Sequence, residues 1–124
     1  MEQLDRPEYH FRIHSHKGSG AKIPVLDVSE PFSYLCDLDY IRNSEFQAIL
    51  DSLTAVLEGR STEIFDFGGE CTICTTEGEK TYCVDIFSDG HCIVETKWML
   101  EMLKGFYEFR KSFGKEHHTE APQT

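Results

Sequence analysis

No stretch of the 124-residue sequence approaches the ~18 consecutive apolar residues that a membrane-spanning helix requires. The opening residues, MEQLDRPEYH, lack the basic segment and apolar run of an export leader. Both absences predict a cytoplasmic protein with no membrane partner. Basic residues are scarce: 12 Lys and Arg stand against 22 Asp and Glu, for a formal net charge of −10. A nucleic-acid binder presents a basic face to phosphates, so no nucleic-acid partner is expected. Catalytic signatures are missing as well. The sequence contains no GxSxG elbow, Walker loop, HExxH or dinucleotide fingerprint, which predicts no enzyme activity, no catalytic residues and no cofactor.

Cysteine is present but in an odd number: Cys36, Cys71, Cys74, Cys83 and Cys92. Without an export leader, this argues against a disulfide framework and for reduced thiols. Cys71 and Cys74 form a CxxC, and with Cys83 and Cys92 they suggest a zinc site. However, zinc ligands usually come as two short pairs, and this CxxC falls inside an expected strand, where positions three apart face opposite ways. The expectation is buried free thiols and no metal, with a cysteine-bound zinc protein as an alternative. His10, His14 and His16 share one face of another expected strand and read as solvated.

The length fits one domain with its own core, and residues 116–124 read as a frayed polar tail. The charge is uneven. From Leu26 to Glu95 there are fifteen acids and three bases, so the acidity belongs to the middle of the chain. Such a surface suits a basic protein partner, which would relieve its self-repulsion and associate faster.

Hydrophobic spacing supplies the elements. YHFRIHSH (9–16) alternates, and KIPVLDV (22–28) returns after a glycine turn as an edge strand containing Pro24. Residues 29–42 show no clear period. Ser44 and Gln47 match a capping box opening an amphipathic helix over 44–58. Strands follow at 61–67, 70–76, 80–87 and 91–95, with loops expected at Glu77-Gly78 and Asp89-Gly90. Thr96 should cap a last helix whose apolar stripe is Met99, Met102, Leu103, Phe106, Phe109 and Phe113; Arg110 should sit near its end and Tyr107 off the stripe, exposed. The predicted fold is α+β: a four-stranded antiparallel meander with two amphipathic helices on one face, plus an N-terminal hairpin.

The loops also sort the sheet side chains. Cys71, Ile73, Tyr82, Val84, Ile86, His91 and Ile93 share one face, expected to meet the helices. Thr72, Cys74, Cys83, Asp85, Phe87, Cys92 and Val94 share the other, expected to be free for binding.

The run EIFDFGGECTICTTEGEKTYCVDIFSDGHCIVETKWMLEMLKGFYEFRKSF (63–113) resembles the small immunity proteins of bacterial contact-dependent growth inhibition and related polymorphic toxin systems. That resemblance implies binding of a cognate toxin domain, often a basic nuclease, whose active site is occluded by carboxylates placed where phosphates would lie. On that reading the interface acids are Asp66, Glu70, Glu77, Glu79, Asp85 and Asp89, with Asp37 and Asp39 next. The competing expectation is an acidic secretion chaperone, usually a dimer with a large apolar groove, or another protein-binding module.

Overall fold

The computed structural model describes residues 3–117. The architecture is α+β: a four-stranded antiparallel sheet, an N-terminal two-stranded hairpin and helices packed against the sheet. Alternation along the first expected strand gives β1 (Tyr9–Ser15), which pairs with β2 (Lys22–Val28) so that Phe11 lies opposite Leu26. Pro24, Leu26 and Val28 turn inward, whereas His10, Arg12 and His14 face solvent. The hairpin is held by aromatic contacts. Tyr9 meets Trp98 edge-on at 5.7 Å, and Phe11 lies 5.7 Å from Phe106 and 5.6 Å from Phe109.

The segment with no legible period carries a 3-10 helix over Ser33–Tyr40. Its three-residue repeat stacks Leu35 above Leu38, and both are fully buried. Helix α1 (Asn43–Leu57) buries Phe46, Leu50 and Leu53. The expected capping box does not form: the helix begins at Asn43, the N-cap residue Arg42 makes no side-chain cap bond, and the Gln47 amide donates instead to Asp51 one turn on. Helix α2 (Thr96–His117) buries Met99, Met102, Leu103, Phe106 and Phe113. It includes Glu116 and His117, which were expected in the frayed tail; residues 118–124 lie outside the described residues. Tyr107, expected to be exposed, is covered by α1, with its ring stacked on Phe46 at 4.9 Å.

Arg110 also departs from expectation. It is only 5% exposed. Its guanidinium donates to the carbonyls of Asp39 (3.1 Å) and Ile41 (2.6 Å), where the 3-10 helix ends. It also lies 4.7 Å from the Phe46 ring centroid and 5.4 Å from that of Phe106. One buried cation thereby joins α2, α1 and the 3-10 helix.

The sheet runs in order β3 (Phe65–Gly68), β4 (Thr72–Glu77), β5 (Lys80–Asp85) and β6 (His91–Glu95). The β4–β5 loop is Gly78-Glu79, with Gly78 at φ 62°, not Glu77-Gly78. The β5–β6 connection spans residues 86–90, because the Asp85 carboxylate accepts from the Phe87 amide and the Ser88 hydroxyl and bends the chain into a turn. Both registers differ from expectation by an even number of residues, so the side chains keep their predicted partition.

Which face is buried is reversed. Thr72, Cys74, Thr76, Thr81, Cys83, Cys92 and Val94 lie inward, while Ile73, Val84 and Ile86 are exposed. Small side chains allow α2 and the 3-10 helix to approach the sheet closely. The buried hydroxyls satisfy one another, through Thr76–Thr81 at 2.9 Å and Thr81–Thr96 at 3.0 Å. The Thr96 hydroxyl donates to the Gly78 carbonyl, so it ties α2 to the β4–β5 loop rather than capping the helix. On the far side, Asp5 bonds backbone to backbone with Ile93 and covers the edge of β6. Among the described residues, no helix is long and apolar enough to cross a membrane.

Candidate binding surface

Strand alternation and register place the outer-face side chains in cross-strand rows. Asp66, Thr75, Tyr82 and Ile93 form one; Gly68, Ile73, Val84 and His91 form the next. Ile73 is 42% exposed and Val84 44%, and Ile86, just beyond β5, is 49% exposed. Large apolar side chains clustered in the open and bordered by charge mark interaction surfaces. A third row, Glu77–Lys80–Glu95, closes the far end of the face.

The predicted interface acids divide into two groups. Asp66 and Glu77 stand exposed on β3 and β4, and Asp66 accepts a hydrogen bond from the Thr75 hydroxyl at 2.7 Å. Glu70, Glu79 and Asp89 are exposed at the strand ends. The remaining three lie elsewhere. Asp37, Asp39 and Asp85 line a groove of about 560 Å³ between β2, the 3-10 helix and the β5–β6 turn, together with Asp27, Tyr40 and Phe87. Sequence reasoning missed Asp27 and the exposed apolar row. A signal for the apolar row was present: Ile86 and Phe87 stand immediately before a Ser-Asp-Gly turn, where polar residues are usual.

Asp37 is not a surface acid. It is buried, and its Oδ2 accepts from the backbone amides of Cys71 and Thr72, both at 2.8 Å. Gly69 is required for this approach, since a Cβ there would collide with the Asp37 carboxylate and backbone oxygen. Asp39 accepts from the Leu26 amide at 3.2 Å. Burial pushes its carboxyl up from 3.8 to about 6, with Asp37 and Asp27 adding to the rise and the Leu26 amide and Arg110 opposing it. A raised carboxyl makes the folded state hold its proton more tightly than the unfolded chain. This contribution to stability is therefore greatest below pH ~4 and is lost as pH rises toward ~6. Replacing Asp39 with Asn keeps an acceptor for Leu26 and removes the buried charge. At pH 7 it should stabilise the fold by about 1 kcal/mol, after allowing for the partial exposure of the group. The gain should fade at pH 4, as measured by urea midpoints at the two pH values.

Compared with known protein families, curated proteins and solved structures, the chain matches none.

Three of the five thiols lie together inside the sheet. Cys74, Cys83 and Cys92 sit directly opposite one another on β4, β5 and β6, buried against the helices. A hydrogen bond with Cys74 and burial push the Cys83 thiol up, and a bond with Cys83 and burial do the same to Cys92. Cys36 and Cys71 line the groove instead, apart from the three buried thiols. Among the described residues, no group of three His, Cys, Asp or Glu is placed to hold a metal ion. On β1, His10 lies 3.2 Å from Asp27, with which Arg12 also pairs.

Proposed function

We propose that this chain is a non-catalytic binding protein that neutralises a basic partner protein by covering its working surface, as an immunity protein does to the toxin domain it disarms. The observation that carries the reading is the outer face of the four-stranded sheet. It presents Ile73 and Val84 side by side in the open, with Glu77 on the strand of Ile73, Asp66 on the neighbouring β3, and Glu70, Glu79 and Asp89 at the strand ends. Apolar contact would supply affinity and the surrounding carboxylates would steer a cationic partner. Acidic side chains at such a surface also suit the phosphate-binding site of a nuclease, which is the toxin class the sequence resemblance suggests.

The test is capture of native partners from the source cell at low ionic strength, followed by elution with rising salt and mass spectrometry. A single basic protein bound one-to-one and released by salt supports the reading. A second reading draws on the same apolar face, which also suits self-pairing in a dimeric secretion chaperone. Recovery of a secreted effector on a dimer would favour that reading instead.

The acids carry a prediction of their own. Reversing Asp66 and Glu77 together to Lys should leave the fold intact, because both are exposed. It should slow association with a captured partner by about tenfold at low salt and flatten the salt dependence. Unchanged kinetics in stopped-flow measurements would remove these two residues from the interface.

A further inference from the structure

We infer that the groove between β2, the 3-10 helix and the β5–β6 turn receives an arginine side chain presented by the partner. This rests on the reading that the chain binds a basic protein, but it concerns a site separate from the outer sheet face. The groove encloses about 560 Å³, within the ordinary range for a ligand site of roughly 300–1,000 Å³. Val25 and Leu26 give it apolar walls, and the Tyr40 and Phe87 rings, 62% and 76% exposed, stand at it. Nothing in their own packing requires two large aromatic rings to remain that open to water.

Charge selects the occupant. Of the four carboxylates, Asp27 is paired with Arg12, the arginine that lines the groove, and Asp37 is given over to the Cys71 and Thr72 amides. Asp39 and Asp85 remain. Asp39 accepts from the Leu26 amide, and Asp85 from Phe87 and Ser88. An ionised carboxylate can accept about four hydrogen bonds, so each retains capacity. Arg110 approaches Asp39 from the core side, but it spends two of its donors on the Asp39 and Ile41 carbonyls. His14 also lines the groove.

Aromatic faces beside carboxylates favour arginine over lysine. A planar guanidinium lies flat on a ring while its edge donates in a fork to a carboxylate; an ammonium can sit over a ring beside a carboxylate, as Lys111 does with Tyr107 and Glu108, but it offers neither a flat face nor a fork.

The test uses the full chain, labelled with ¹⁵N, at pH 7 and low ionic strength. The probe is N-acetyl-arginine methylamide, with the lysine and citrulline counterparts as controls. Saturable amide shifts at Tyr40, Cys71 and Phe87 are expected with arginine, several-fold weaker with lysine and absent with citrulline. The double variant Asp39→Asn, Asp85→Asn should weaken arginine binding by at least about tenfold. Because Asp85 also shapes its turn, Tyr40→Ala and Phe87→Ala provide an independent check at exposed positions, and each should erase the preference for arginine over lysine. Equal responses to arginine and lysine spread over the acidic surface would overturn the inference, as would silence in the groove. Either result would leave the outer sheet face, and the capture experiment that tests it, untouched.

Discussion

Replacing Arg110 with alanine should destabilise the fold by about 3–5 kcal/mol, among the largest effects of any single substitution here. The guanidinium donates to two carbonyls at the end of the 3-10 helix and lies over two aromatic rings. Charge-assisted hydrogen bonds of this kind contribute about 1.5–3 kcal/mol each, and truncation leaves their acceptors buried without donors. It also withdraws the cation that offsets Asp39. Burial lowers the ionisation of Arg110 from its ordinary value, but arginine keeps its proton near neutrality, so the charge remains throughout. Arg110→Lys should recover only a minor part, because an ammonium cannot reach both carbonyls while stacking on the rings. Urea denaturation will show the effect as a lower midpoint at an unchanged slope. A loss below about 1 kcal/mol would mean that the 3-10 helix is anchored chiefly by Leu35 and Leu38.

Asp37→Ala should cost about 2–4 kcal/mol. The carboxylate is the acceptor for two consecutive amides, Cys71 and Thr72, at the start of β4. Its removal leaves both donors without that acceptor and opens space against Gly69. Asp37→Asn retains an acceptor oxygen and should cost roughly half as much. The two possible roles of this acid separate cleanly. An interface acid would lose partner affinity and keep its stability, whereas a structural acid would lose stability first. Thermal melting of the two variants beside wild type decides between them.

Much of the architecture was legible because hydrophobic period is a strong signal over long segments. The hairpin, the first helix, the four-stranded meander and the start of the last helix all follow from it. The inversion of the sheet faces has a specific cause. Counting apolar residues favours the Ile73–Val84 side, yet a helix can come closest to a sheet lined with threonine and cysteine, provided the hydroxyls find partners. The Thr76–Thr81–Thr96 chain supplies them, and no local pattern reveals a partner that comes from another element. The 3-10 helix escaped notice for a related reason. Its eight residues hold too few repeats of a three-residue period to stand out. Among the predicted acids, Asp66, Glu70, Glu77, Glu79 and Asp89 are exposed. Asp37 and Asp39 are not, and alternation of Asp with Leu in LCDLD does not reveal that these carboxylates turn back onto backbone amides.

The aromatic seam that fastens the hairpin to the last helix joins residues far apart in the sequence, Tyr9 with Trp98 and Phe11 with Phe109. Contacts of such long sequence separation close late in folding, because the intervening chain must be ordered first. On a ribosome the hairpin emerges before α2, and Phe11 lacks the rings it packs on until α2 follows. Of these two elements, the one made first therefore waits for the other. Until then, the Tyr9 and Phe11 rings of β1 lack the partners that cover them.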